Sequence, residues 1–269
     1  MKTSRSGFTL VEILVVITII GLVAAIALPA IGQALARARN AAIKTEIDML
    51  HLAVMNYRNE YGSFPPSITT ATSTIDLGAR HLNRVFPRVS ATSQLPRLTF
   101  NNVSGGTLTL SAITPANSLS LWLHGYTSDP AQPIWSVTTS STMPRQKMYD
   151  FDTTRLSSGT APIAFLPGVY HAAGKPGSPY IYIDSRVYGS GIWPPTGTSY
   201  RIVTTSGTTT FTIAANTYGP QVNPVTGTFF NPDTFQILSA GRDEVWNTED
   251  DLSNFWPGTR QDFLDNLNN

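Results

Sequence analysis

The sequence contains no cysteine, which excludes disulfides, thiolate metal sites and cysteine nucleophiles. It is also poor in charge. Asp, Glu, Lys and Arg make up 13% of its 269 residues, against about a quarter in an ordinary soluble domain. Between Val89 and Thr142 the only charges are Arg97 and Asp129, so this stretch is not a charge-rich disordered tail. Neither sign dominates. The formal net charge is +1, which gives no electrostatic case for a nucleic-acid partner. Catalytic patterns are missing too. His81, His124 and His171 are isolated and lack metal-ligand spacing. Gly174-Lys175-Pro176-Gly177-Ser178 lacks the spacing of a phosphate loop, and its proline removes a donor. Gly189-Ser190-Gly191 reads as a turn rather than a nucleophile elbow. No enzyme is expected.

Length and composition leave room for one large domain or two small ones. Ser, Thr, Gly and Pro are abundant, and short stretches alternate apolar with polar residues, so the body reads as β-rich. The N-terminus differs. A short basic leader carries Lys2 and Arg5 and is followed by an apolar run to residue 31, interrupted early by a single acid, Glu12. Residues 8–31 would span about 36 Å as a helix at ~1.5 Å per residue, enough to cross a bilayer core of ~30 Å. The leader charges place the N-terminus in the cytoplasm. A lone carboxylate in such a run is costly unless something pairs with it. From the residues alone, three readings are open: a secretory signal peptide cut at Ala25-Ile26-Ala27, a plain signal anchor, and a processed assembly helix.

The string Gly7-Phe8-Thr9-Leu10-Val11-Glu12, with its basic leader and apolar helix, resembles the prepilin N-terminus of type IV pilins and type II secretion pseudopilins. Gly21 and Pro29 also fall where that family commonly has them. The resemblance implies cleavage between Gly7 and Phe8 by a prepilin peptidase and N-methylation of the Phe8 amine. Glu12 would then pair with the Phe8 amine of a neighbouring subunit. Losing Lys2 and Arg5 from the 18 basic residues leaves 16 against 17 acidic, a net charge of −1. Cleavage creates a cation beside a carboxylate in a low-dielectric place, and a buried charge needs its partner. The resemblance thus implies that proteolysis would act as an assembly switch. Pro29 removes a helical hydrogen bond and can kink the helix. In a membrane such breaks survive where neighbours re-satisfy the backbone. Gly21 and Pro29 are the expected helix-break positions.

The helical pattern continues beyond the membrane. Ile31, Leu35, Ile43, Ile47, Leu50, Val54, Tyr57 and Tyr61 form one face, with Arg37, Lys44, Asp48 and Arg58 mainly off it. Gly62 and Pro65-Pro66 end the helix. Residues 8–61 therefore read as one helix of roughly 80 Å, half for lipid or filament core and half packed on a head. His51, beside the stripe, reads as a partly covered helix histidine. The helix exit, Tyr61-Gly62-Ser63-Phe64-Pro65-Pro66, resembles that of the major pseudopilin.

In the body, residues 69–74 read as a Ser/Thr linker and residues 75–86 as holding a short helix. Apolar runs flanking Gly105-Gly106 read as a hairpin. The segment from Thr114-Pro115 to Gly125 reads as a short capped helix, with a strand as the alternative. Residues 180–184 alternate, and residues 200–214 read as a second hairpin through Ser206-Gly207. Trp122, Trp135, Tyr180, Tyr182 and Trp193 read as core, with a sugar-binding surface as the alternative.

Near the C-terminus, Phe235-Gln236-Ile237-Leu238 reads as a strand leading into Ser239-Ala240-Gly241-Arg242-Asp243. Asp250-Asp251 follow, so three carboxylates lie among turn residues. Hard oxygen donors in that density make a Ca²⁺ site plausible, with a solvated acidic loop as the alternative. The pattern is similar to the calcium loop of the major pseudopilin of type II secretion. That resemblance implies side-chain ligation by Asp243, Asp250 and Asp251 and carbonyl ligation by Ala240, with a further carbonyl from residues 245–248. Glu244-Val245-Trp246-Asn247 departs from the glycines usual there. The tail has helical spacing at Phe263, Leu264 and Leu267.

The expected architecture is α+β and pilin-like: a leader (1–7), a transmembrane and assembly helix (8–31), an amphipathic helix (32–62), an enlarged β-rich head (63–227), and a C-terminal strand, calcium loop and tail (228–269). The implied role is a structural subunit of a type II secretion pseudopilus. The alternatives are a type IV pilus pilin serving adhesion, motility or DNA uptake, and a membrane-anchored binding module that does not polymerise. Implied partners are further copies, minor pseudopilins or pilins, the prepilin peptidase, an inner-membrane assembly platform and membrane lipid. The chain is expected in the inner membrane before assembly, and in a periplasmic or extracellular filament after it.

Overall fold

The structure, a computed structural model, describes residues 9–67, 77–89, 100–101, 107–108, 114–131, 133, 145–157, 169–173, 179–188 and 218–267. Helix α1, Leu10–Tyr61, dominates it. The sequence pattern extends to Phe8, which lies outside the described residues, but the helix proper begins at Leu10. Thr9 is extended (φ −83°, ψ 148°) and its side chain accepts the Glu12 N–H, which makes it the N-cap. At the other end Gly62 adopts φ 73°, a left-handed conformation that glycine takes without steric cost, and its N–H donates to the Arg58 carbonyl at 2.7 Å. Between these caps the helix is continuous past both Gly21 and Pro29.

The two halves of α1 have different surroundings. The first half buries nothing in its own chain: Leu10 is 82% exposed and Ile31 62%. Thr18 satisfies its hydroxyl by donating to the Leu14 carbonyl at 2.7 Å. The second half is a core helix, with Ile43, Ile47, Leu50, Ala53, Val54 and Tyr57 buried. The apolar stripe read from the sequence starts at Ile31, yet Ile31 and Leu35 are exposed. Among the described residues, the first buried position of the stripe is Ile43, so its upstream part is left exposed. Each fully buried aliphatic side chain contributes about 1.5–3 kcal/mol, which fastens the second half to the head.

The head rests on α1 through a three-stranded antiparallel sheet in the order β7 (Ile181–Asp184), β8 (Phe235–Ser239), β9 (Leu252–Ser253). Tyr182 faces Ile237 in register, and Ser239 faces Leu252. The alternation at residues 180–184 does not divide β7 into a core face and a wet face, since all four strand residues are buried. Tyr180 and Tyr182 join the cluster that includes α1, whereas Ile181 and Ile183 join a second cluster on the other side with Val187 and Leu238.

Shorter elements complete the head. Helix α2 (Leu77–Val85) and helix α3 (Ser118–Leu123) are both present. The helical alternative for residues 114–125 is therefore the one that forms. All six α3 residues are buried, and Gly125 (φ 86°) follows, where a Cβ would fall 1.9 Å from the Gln146 carbonyl oxygen. Paired strands are β1 (Phe100–Asn101) with β2 (Thr107–Leu108), β3 (Tyr126–Thr127) with β4 (Arg145–Gln146), and β5 (Leu156–Ser157) with β6 (Val169–Tyr170). The β1–β2 pairing agrees with the first hairpin. Its turn, the second hairpin, the 69–74 linker, Trp135, Trp193, Gly174-Lys175-Pro176-Gly177-Ser178 and Gly189-Ser190-Gly191 lie outside the described residues. Trp122, Tyr180 and Tyr182 are fully buried, as the core reading required. The tail forms helix α4, Arg260–Leu267, with Phe263 against Phe230 and Trp256.

The chain leaving α1 is bound into the head residue by residue. The carbonyls of Phe64, Pro65 and Pro66 accept from Arg186, the Tyr182 hydroxyl and the Trp122 indole, and the Ser67 hydroxyl accepts the Asp184 N–H. Prolines lack an N–H, so their carbonyls alone carry the attachment at 65 and 66.

Candidate functional site

Three places carry chemistry: the start of α1, a polar contact between α1 and the head, and the acidic loop after β8.

At the start of α1, Glu12 lies three residues after the N-cap. One carboxylate oxygen accepts the Thr9 N–H at 2.8 Å and the Thr9 hydroxyl at 2.7 Å, while the Thr9 hydroxyl accepts the Glu12 N–H at 3.3 Å. This is a capping box, and an anion there also complements the helix dipole. The lone acid of the apolar run thus has a partner within its own subunit, at the Thr-x-x-Glu spacing of a capping box. Nothing stands within 4 Å of a Cβ placed at Gly21, and the most apolar 18-residue window of the helix has no buried residue. By length and composition this helix can cross a membrane. Gly7 and Phe8, the expected processing pair, lie outside the described residues.

The second place was not legible in the sequence. Glu46 projects from α1 into the head, where Arg155 grips its carboxylate with both guanidinium arms at 2.8 and 2.6 Å. Tyr170 donates to the same carboxylate at 2.7 Å and Tyr180 at 2.5 Å. Arg155 lies over the Tyr170 ring at 4.5 Å and also donates to the His171 carbonyl. Burial raises the Glu46 carboxyl, but hydrogen bonds from Arg155, Tyr180 and Tyr170 and the Arg155 charge outweigh it, so it titrates below the usual carboxylate range. A bidentate guanidinium is the geometry that best stabilises a half-buried carboxylate. His51, further along, packs on Phe235 and meets the Asn254 amide at 3.0 Å, a helix histidine covered by the head.

In the acidic loop, Gly241 (φ 62°) passes so close to the following turn that a Cβ would sit 2.2 Å from the Asp250 carbonyl oxygen. Glu244 and Asn247 also have positive φ, 62° and 67°. The backbone there keeps conformations suited to glycine although the side chains do not. Asp250 Oδ2 accepts the N–H groups of Arg242 and Asp243, Asp251 Oδ2 that of Asn247, and Asp243 Oδ1 that of Val245. The Thr248 hydroxyl lies 3.1 Å from the Val245 carbonyl, 2.9 Å from Asp250 Oδ1 and 3.4 Å from Asp251 Oδ1. A hydroxyl has one proton, so it cannot serve three acceptors. Asp251 is buried, and that burial lifts its carboxyl to about 7 against the Asn247 N–H and the Arg260 charge, with Asp250 adding to the rise. Oxygen atoms crowded beyond the supply of protons are the donor chemistry of a hard cation. Val245 and Thr248 lie in the span from which one further ligand was expected. Among the described residues, no three acidic or histidine side chains converge as a metal-holding group. The crowding involves two carboxylates, a carbonyl and a hydroxyl, while the Asp243 contact above is to the loop backbone.

A long helix, apolar and bare in its first half and buried against a β-rich head in its second, defines an α+β pilin-like fold. The family described as "Prokaryotic N-terminal methylation motif" matches residues 2–28. A fimbrial protein of Neisseria meningitidis is 34% identical over 87 residues, covering 32% of this chain and 51% of that protein. The type IV major pilin protein PilE1 of Neisseria gonorrhoeae is 38% identical over 71 residues, covering 26% and 43%. The fimbrial protein EcpC of Eikenella corrodens is 29% identical over 126 residues, covering 45% and 82%. The chain thus spans about half the length of the Neisseria relatives it matches. No solved structure shows a significant match. The methylation motif and these pilin relatives support the type IV pilin superfamily.

Proposed function

We propose that the chain is a structural subunit of a pilin-like filament, held in the inner membrane by residues 8–31, cut between Gly7 and Phe8, N-methylated on Phe8 and polymerised through its N-terminal helix. The observation that carries this reading is the bare first half of α1, an apolar surface with no partner in its own chain. In the free subunit Glu12 is occupied by Thr9; on assembly it exchanges that partner for the Phe8 amine of the neighbouring subunit. Minor subunits, the prepilin peptidase and an inner-membrane platform are the partners this route requires. Mass spectrometry of the chain from its own cells tests it. The expected N-terminus is a methylated Phe8, and an intact leader or a cut after Ala27 overturns the reading.

Two branches of the superfamily remain in play. The fimbrial relatives favour a pilus. The oxygen-crowded loop favours the pseudopilus of type II secretion, with Ca²⁺ held by Asp243, Asp250, Asp251 and the Ala240 carbonyl, and with the Val245 carbonyl and Thr248 hydroxyl added to that set. Bound there, the ion would supply the positive charge the crowded oxygens lack and fasten the loop to β8. Deleting the gene and assaying the secreted proteins separates the branches: secretion fails for a pseudopilin, while surface fibres are lost for a pilin.

A further inference from the structure

Charge, scarce overall, is sorted along the molecule. Residues 77–128 contain four arginines and no acid, whereas residues 228–269 contain eight acids and two arginines, a net charge of −6. Arg80, Arg84 and Arg88 recur every fourth position on α2 and the turn after it, all exposed, while His81 and Leu82 on the opposite side are buried. Arg80 and Arg84, one turn apart, stand ~6 Å apart on one helical face, and Arg88 lies in the turn that follows. Among the described residues none of the three is ion-paired; the pairs that form are Lys44–Asp48, Lys147–Asp150, Arg155–Glu46 and Arg186–Asp184.

The two surfaces also sit at different heights on α1. Helix α2 is fixed near its exit, where His81 meets the Tyr57 hydroxyl at 2.6 Å and Phe86 packs on Tyr61. The acidic segment spans a range of heights: Phe235 packs on Phe64 at the exit, while the part around residues 249–254 is fixed lower, where the Ser253 carbonyl accepts from Lys44 at 2.9 Å and Asn254 meets His51. Lys44 and Tyr57 are about 20 Å apart along the axis. Among the described residues, an arginine stripe without an ion pair therefore lies near the helix exit, and the acids around residues 249–251 lie nearer the membrane half of α1.

We propose that the α2 arginine stripe of one subunit docks on the acidic C-terminal segment of a second copy displaced along the α1 axis, an inference that rests on the filament reading above. The patches differ and are offset axially, so the contact is head-to-tail and propagates as an open filament rather than closing as a dimer. Single surface ion pairs are weak and screened by salt. An array of them fixes which neighbour fits and in what register.

The absence of native cysteine makes the test clean. Arg80→Cys or Arg84→Cys is combined with Glu249→Cys or Asp265→Cys in the full chain, giving four pairs, and assembled filaments are oxidised. The expected result is a ladder of covalent multimers from at least one pair, and none beyond a dimer from any single variant. Filaments that sediment normally with every pair yet give no ladder overturn this docking and leave the filament reading standing. A wild-type chain that never sediments as polymer overturns both. Filaments that retain labelled duplex DNA, lose it on Arg84→Glu and give no ladder would assign the stripe to nucleic acid and overturn the proposal.

Discussion

Two of the carboxylates on helix α1, Glu12 in its first half and Glu46 in its second, live under opposite rules. Glu12 sits on the bare half and is served by Thr9, three residues away. Glu46 sits on the covered half and is served by Arg155, Tyr170 and Tyr180, which lie 109 to 134 residues away in sequence. The first acid can be released from its partner by breaking two short contacts at a helix end. The second cannot leave without opening the head. One helix thus joins an end whose contacts are exchangeable to an end whose contacts are permanent.

The sharpest way to break that contrast is Glu12→Ala. Filament assembly should be lost, while the melting temperature of the detergent-solubilised chain stays unchanged; normal filaments from this variant would remove the pairing role. Glu46→Ala should do the reverse. It leaves the Arg155 guanidinium half-buried without its acid, for which about 3 kcal/mol is expected, the low end for a broken buried pair because the Arg155 side chain is 20% exposed. A melting temperature equal to wild type would show that the grip on Glu46 does not hold head to helix.

A third measurement uses acid. His81 is buried between Tyr57, Ser63 and Trp122. Burial, with Arg186 and Arg84 adding to it, drops its ring to about 3. A histidine depressed in the folded state is stabilising when neutral, so stability is lost as pH falls from about 6.5 toward 3, by up to about 1.4 kcal/mol per pH unit. His81→Phe should flatten that slope in a pH series of denaturant melts, and an unchanged slope would assign the acid lability elsewhere.

The smallest expected effect is at the acidic loop. Asp251 is raised to about 7, so without a cation its contribution is full below the ordinary aspartate range and declines as pH rises through about 7. A cation needs the ionised form. Adding Ca²⁺ should therefore raise the melting temperature at pH 8 and do much less at pH 5, and chelator should reverse the gain. The same melting curve with and without chelator at pH 8 would discard the calcium proposal.

The sequence disclosed the local parts of this molecule. The helix, its end at Gly62, the strands at residues 181–184 and 235–239 and the crowding of acids near residue 250 all follow from spacing within a few positions. It misplaced what depends on distant surfaces. Ile31 and Leu35 fit the helical stripe as well as Ile47 does, because periodicity records which face is apolar and not whether this chain covers it. The Tyr180–Asp184 alternation likewise could not show that both faces of β7 would be buried. The Glu46 contact left no trace, since residues 46, 155, 170 and 180 share no spacing and each is unremarkable alone. Thr9 and Glu12 had the capping spacing, and the wider resemblance of their segment drew attention to intersubunit pairing instead.

The attachment of residues 64–67 has a mechanical consequence. Tension travelling along α1 is taken up first by the buried face from Ile43 to Tyr57 and by the grip on Glu46, and what passes Gly62 is handed, over residues 64–67, to Arg186, Tyr182, Trp122 and the Asp184 N–H. Four consecutive residues each hold one of those bonds, so the segment leaving the helix comes free only when all four fail.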